Sequence, residues 1–311
     1  MNFNNLKIWA VTDGSQGMIS QVIGLSKRLS NNITQIHTDL IFPWSFLQPG
    51  LLPTFEWIFK NKIPKNNYPD ILISCGRKSV YFSLYFKKKY KNIVNIHIQN
   101  PKISAKKFNY VICPNHDNFY GDNVINSIGA LHHLKRKNDF SNPKLLTCIV
   151  GGDNRHYHFR EKEANDLCNK LIQIKKNNKE IQLSVITSRR TSDLVKNILT
   201  EKLKNISLLW TGFGENPYSK SLENSSFFIV TSDSTSMISE AAISGKPIYI
   251  HHLEFKRKSN RIINFHNEFT TLGITQNIKN IKFLKNWTYN PLNESERIAS
   301  IIKKRIIEEN I

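Results

Sequence analysis

The feature that most constrains this chain is a rhythm. Short apolar runs alternate with longer stretches of helical periodicity. In the first half the runs are Lys7–Val11, Ile33–His37, Asp70–Ser74, Ile93–Ile98 and Tyr110–Cys113. In the second half they are Leu145–Val150, Leu183–Thr187, Ser207–Trp210, Phe227–Thr231 and Pro247–Ile250. Runs of this length, apolar at consecutive positions, read as strands covered on both faces, which is the situation of a parallel sheet. The intervening patterns Gln16–Leu29, Lys78–Tyr90, Phe159–Lys176, Ser192–Lys204 and Glu294–Glu309 read as helices. Repeated strand–helix–strand units predict an α/β chain with doubly wound sheets. The rhythm runs twice and breaks at the polar, basic stretch HHLKRKNDFSNPK. Two Rossmann-like domains, 1–140 and 141–311, are therefore expected, which 311 residues can supply.

Composition narrows the setting. No stretch approaches the roughly 18 apolar residues of a membrane span, and the first residues, MNFNNLKIWAVTDG, do not resemble a signal peptide. Cys75, Cys113, Cys148 and Cys168 are widely spaced and form no CxxC pair, so free thiols of a reducing compartment are expected. The expected location is the cytoplasm, with peripheral attachment at the inner face of the membrane as an extension. The net charge is +20, which favours an anionic partner. A Lys-, Asn- and Ile-rich chain also arises from an AT-rich genome regardless of function. The lysines are scattered, and neither a nucleic-acid motif nor a ladder of stacking aromatics occurs, so no nucleic-acid partner is expected.

In open α/β sheets ligands bind beyond the carboxyl ends of the strands. Here the turns at those ends are polar, glycine-bearing or basic, whereas opposite turns such as Lys176–Glu180 are plain lysine and asparagine loops. This asymmetry predicts two domains facing a functional cleft. Asp13, Gly14, Ser15, Gln16 and Gly17 form either a phosphate-cradling turn or a tight turn capped by Asp13 or Ser15. Gly76 and Arg77, and Ser188, Arg189 and Arg190, put cations beside helix starts that are already partially positive. A bound phosphate or a neighbouring carboxylate would resolve that repulsion. Gly151 and Gly152, then Asn216, Pro217 and Tyr218, occupy two further such turns. Ser232, Asp233, Ser234, Thr235 and Ser236 precede a helix on which Glu240 lies one turn in; they suit a diphosphate and a ribose diol, or an ordinary capped helix with Glu240 exposed. The pairs His132–His133 and His251–His252, and His156 with His158, lack metal-ligand spacing, so neither metal nor cofactor is expected.

VTDGSQGMISQVIGLSKRL, ISCGRKS, HIQNP, VICPNHD, GALHHL, VGGDNRHY, ITSRRTS, WTGFGENPY and VTSDSTSMISEAAISGKPIYI occur in that order. Together they resemble the plant mitochondrial-fission factor family and its bacterial relatives. That family is similar to two-domain GT-B glycosyltransferases. The resemblance implies that the second domain binds a nucleoside-diphosphate sugar, with Ser234–Ser236 and Glu240 at diphosphate and ribose. It implies that Asp13, or else His116 or Asp117, takes the acceptor's proton. It also implies that the helix at 294–309 crosses back to the first domain. The expected function is sugar transfer to an envelope or lipid-linked acceptor without a metal. The alternatives are a non-catalytic adaptor at an anionic membrane surface, as the plant member's role suggests, and a nucleotide- or phosphosugar-binding protein without turnover.

Overall fold

A computed structural model describes residues 2–64, 68–135 and 142–309. The chain forms two compact units, Met1–Leu134 with Asn293–Ile311, and Lys135–Leu292. The expected boundary at 140/141 lies outside the described residues.

The sheet of the first unit has six parallel strands in the order β2-β1-β3-β4-β5-β6. They are β1 (Lys7–Thr12), β2 (Asn32–His37), β3 (Ile71–Cys75), β4 (Val94–Ile98), β5 (Tyr110–Pro114) and β6 (Val124–Ser127). Strand alternation sorts the side chains into two layers. Ile8, Ala10, Ile71 and Ile73 pack with Val22, Leu25 and Leu29 of α1 (Gln16–Leu29). Trp9, Val11 and Leu72 pack on the other face with Tyr81, Phe82 and Phe86 of α2 (Arg77–Lys89). The chain's last helix, α8 (Glu294–Glu308), adds Ile298, Ala299, Ile302 and Ile306 to the α1 layer. Arg28 of α1 is buried and reaches three carbonyls, of Gly24, His133 and Leu134. It thereby ties the end of this unit's sheet segment to α1.

The sheet of the second unit runs β12-β11-β10-β7-β8-β9, again all parallel. Its strands are β7 (Asn142–Val150), β8 (Gln182–Thr187), β9 (Ser207–Trp210), β10 (Ser225–Thr231), β11 (Ile248–His251) and β12 (Thr275–Asn277). This is the strand order of dinucleotide-binding Rossmann sheets. The helices are α3 (Glu161–Asn177), α4 (Asp193–Leu203), α5 (Tyr218–Asn224), α6 (Thr235–Ala241) and α7 (Asn260–Thr271). Leu167, Leu171 and Ile174 of α3 and Val195 and Leu199 of α4 cover Cys148, Val185 and Ile229 of the sheet. Strands β6 and β12 and helices α5 and α7 were not anticipated. β12 is the polar tripeptide TQN and exists by pairing with β11, a contact no local pattern announces.

All four cysteines are free and buried. His97 of β4 is 1% exposed. Ser74 donates to the Ile96 carbonyl, so it accepts from Nδ1–H of His97 at 2.8 Å, leaving Nε2 a buried lone pair without partner. Burial pushes the imidazole down to about 3. The unfolded chain takes up this proton near pH 6.5 and the folded one does not, so stability is lost as pH falls from there toward 3. The loss should reach about 2 kcal/mol by pH ~5. Urea unfolding across that range checks it. A His97→Gln variant, which carries no titrating group there, should show a shallower dependence.

Candidate functional site

Ligand positions in such sheets fall where strand connectivity reverses direction, which is between β1 and β3 in the first unit and between β7 and β10 in the second.

In the first unit the turn after β1 is held open by its own side chains. Thr12 Oγ1 accepts from Gly14 N at 3.1 Å, and Asp13 Oδ1 accepts from Ser15 N at 3.1 Å. Ser15 is the N-cap residue of α1 but makes no capping bond with its side chain, and Gly14, Ser15, Gln16 and Gly17 are exposed. Gly14 has φ +87°, and an added Cβ would sit 3.0 Å from the His37 ring. His37 is a residue the sequence did not single out. Its Nε2–H donates to the Asp13 carbonyl at 2.8 Å, because Asn61 Nδ2 donates to its Nδ1 at 3.0 Å. The turn after β3 touches α1, since a Cβ on Gly76 would lie 2.3 Å from Met18 Sδ. Arg77 is held by backbone carbonyls instead of a carboxylate. Its guanidinium donates to the carbonyls of Trp44, Ser45 and Leu47, and so holds the segment between β2 and β3.

His116 and Asp117 stand elsewhere. They follow β5, and β3 and β4 intervene between β5 and β1, a separation of roughly 14 Å at the sheet spacing. His116 Nε2 lies 3.9 Å from Asp117 Oδ1, and both side chains are buried. The structure does not bring them to Asp13.

In the second unit one carboxylate assembles three turns. Asp233, after β10, has its side chain fully buried. Its Oδ2 accepts from Gly152 N at 3.0 Å and from Arg190 Nη2 at 2.8 Å, and its Oδ1 from Thr231 Oγ1 at 2.6 Å. The ends of β7, β8 and β10 are thereby joined. The glycines are required by close approach. A Cβ on Gly151 would lie 2.1 Å from Asp233 Oδ2, and one on Gly152 2.1 Å from the Arg190 carbonyl oxygen. Thr191, which donates to the Gly151 carbonyl, and Asn154, which donates to the Asp233 carbonyl at 3.3 Å, complete the knot. Both lie inside the motifs ITSRRTS and VGGDNRHY, so their signal was present in the sequence.

Arg190 has thus found a neighbouring carboxylate, Asp233. Ser232 is also committed inward, its hydroxyl accepting from Leu253 N at 3.0 Å. Ser188 bonds Thr191. What remains open is a distinct set. Arg189 is exposed, and among the described residues no partner is found for its guanidinium or for the half-buried hydroxyls of Thr235 and Ser236. Ser234 caps α6 through Met237 N at 3.4 Å. Tyr218, at the start of α5 beside Asn216 and Pro217, donates a short hydrogen bond to Glu240 Oε2. Burial and the Glu240 carboxylate hold the Tyr218 hydroxyl well above the usual phenol range, so it stays a donor. Glu240 is accordingly half-buried and oriented; the exposed helix residue of the simpler reading is not what the structure shows.

Solved structures share this architecture. The S. aureus MnaA–UDP co-structure matches with TM-score 0.54 at 12% identity, covering 97% of this chain and 88% of that one. The UDP-GlcNAc 2-epimerase from Neisseria meningitidis bound to UDP-GlcNAc matches with TM-score 0.50 at 12% identity, covering 96% and 100%. The glycotransferase of kitacinnamycin matches with TM-score 0.53 at 11% identity, covering 96% and 99%. The fold is therefore that of the GT-B glycosyltransferases and epimerases, and at such identities it does not choose between transfer and epimerisation. Within that class the assignment is specific: the family described as mitochondrial fission ELM1 matches residues 16–306, and the chain belongs to it. An uncharacterized protein of Rickettsia prowazekii is 27% identical over 96% of this chain and 98% of its own length. Mitochondrial fission protein ELM1 of Arabidopsis thaliana is 25% identical over 76% of this chain and 64% of its own length.

Proposed function

We propose that the second unit binds a nucleoside-diphosphate sugar and that the protein transfers the sugar to a membrane-class acceptor, such as a lipid-linked one. The observation that carries this reading is the set of groups left open around the Asp233 knot. Arg189, the hydroxyls of Thr235 and Ser236, and the first backbone N–H groups of α6, beside the Ser234 cap, suit a diphosphate. Glu240, one turn along and oriented by Tyr218, suits the ribose hydroxyls. Solved structures of the same fold carry UDP or UDP-GlcNAc. In the transfer, the acceptor oxygen bonds to the anomeric carbon as the bond from that carbon to the diphosphate breaks. The diphosphate leaves with the electron pair, stabilised by Arg189 and the amides, and the acceptor's proton passes to a general base, for which Asp13 is the candidate the sequence offers.

Glu240→Gln should weaken nucleotide binding roughly tenfold, about 1.4 kcal/mol, without lowering the melting temperature of the ligand-free protein. Asp13→Asn should leave nucleotide affinity unchanged and remove turnover. Titration calorimetry with UDP and other nucleoside diphosphates, followed by a release assay with nucleotide sugars, reads both. Absence of binding by every nucleoside diphosphate would sink the proposal. Binding without release would leave a nucleotide-binding protein that performs no transfer.

A further inference from the structure

Residues 38–64, after β2, form a loop that buries some of its aromatic side chains and turns others outward. Leu40, Trp44, Ile58 and Phe59 anchor it in the core shared with Trp9 and Phe82. Trp44 Nε1 donates to the Pro53 carbonyl at 2.9 Å, Tyr81 donates to the Gln48 carbonyl at 3.0 Å, and Arg77 holds carbonyls of residues 44, 45 and 47. On this fixed base Phe42 is 75% exposed, Phe46 80%, Leu51 67% and Trp57 60%. Phe42 and Phe46 meet edge to face at 6.2 Å, and Phe55 stacks on Trp57 at 5.6 Å. A soluble surface rarely concentrates large apolar side chains on one rigid loop without something that covers them.

Charge indicates the cover. Of the carboxylates between β2 and β3, Asp39 is neutralised by Lys60 and Lys78 and Glu56 by Lys89, while Asp70, at the far end beside β3, accepts from Lys7 N. Beside the loop, Gln48 Nε2 donates to the Lys102 carbonyl at 2.7 Å, which brings the exposed Lys102 next to it; Lys106 and Lys107, further along the same connection, are exposed too. Lys62 is exposed within the segment. Outward Phe, Leu and Trp with lysines alongside and no unpaired acid among residues 39–64 match the boundary between headgroups and acyl chains of an anionic bilayer.

We propose that residues 42–57, with Lys62, Lys102, Lys106 and Lys107, form a docking surface for an anionic lipid bilayer. The proposal rests on the membrane-class acceptor named above but not on nucleotide binding. The test is flotation of the full chain with phosphatidylcholine vesicles, with and without phosphatidylglycerol. Binding should require phosphatidylglycerol and weaken with salt. Phe46→Ser with Leu51→Ser should reduce vesicle affinity at least ~10-fold. Charge reversal at Lys102, Lys106 and Lys107 should reduce it roughly fivefold or more per lysine. Trp57 emission should shift to the blue on binding. Trp57→Phe should keep the binding and lose that shift. Absence of binding to phosphatidylglycerol vesicles overturns the proposal. So does equal binding to both vesicle types, or a concentration-dependent dimer that Phe46→Ser with Leu51→Ser abolishes while vesicles stay unbound. The melting temperature of each variant excludes unfolding as the cause. UDP titration of the same variants, expected to match the natural chain, separates failure of this surface from failure of the nucleotide site.

Discussion

Asp233→Ala should destabilise the second unit by about 4 kcal/mol. The substitution strands Gly152 N–H, the Thr231 hydroxyl and the Arg190 guanidinium at a position where the carboxylate itself meets no water. Arg190 is 42% exposed and recovers part of its hydration, so the loss comes mainly from the two buried donors and the cavity. For a unit of this size the melting temperature should fall by roughly 10 °C. Arg190→Ala should also cost about 3 kcal/mol, because it leaves the buried carboxylate two neutral donors but no countercharge. Scanning calorimetry resolves this if the two units melt separately, and urea unfolding followed through Trp210 and Trp287 reads the second unit otherwise. An Asp233→Ala protein as stable as the natural chain would mean that the three strand ends are held by something else, and the candidate site would lose its organising group.

Gly24→Ala should destabilise the first unit by about 3 kcal/mol. Helix propensity argues the other way, since alanine in a helix interior is worth about 1 kcal/mol more than glycine. The decisive fact is the neighbour. A Cβ at position 24 would lie 2.4 Å from the His132 carbonyl oxygen and 3.0 Å from His133 N, backbone atoms that cannot swing aside. The same segment is bound to α8 through Ser295, which accepts from His132 N and donates to the His132 carbonyl. It is also bound to α1 through Arg28. Relief of the clash would therefore move α1, the 131–134 segment and α8 together. Urea unfolding followed through Trp9 and Trp44 gives the sign. A stabilised Gly24→Ala variant would show that helix propensity outweighs this close approach.

Much of this protein was legible because local periodicity survives folding wherever an element is covered on both faces. Gln16–Leu29 is a helix with the expected ends because its apolar residues recur at helical spacing and Ser30 is extended. The central strands β3, β4, β5 and β10 were visible as mainly apolar runs because both their faces are covered, whereas the edge strands β2, β9 and β12 are partly exposed. The turns that matter were also visible, as glycines, hydroxyls and arginines gathered at one end of the strands.

Partner choice was not legible. Nothing local says that Arg190 closes on Asp233 while Arg77 closes on three carbonyls, for both read as cations beside helix starts. Nor does the chain near Phe42–Trp57 say which aromatics turn inward, since WSF and EWI look alike until Trp44 is buried and Phe46 is not. Sequence alone determined the α/β class, the two-fold repetition and the family, because these depend on spacing along one chain. Tertiary structure alone decided which polar groups are consumed in the knot around Asp233 and which are not. A hydrogen bond is settled by what arrives from another strand, and in a parallel sheet the arriving strand lies many residues away.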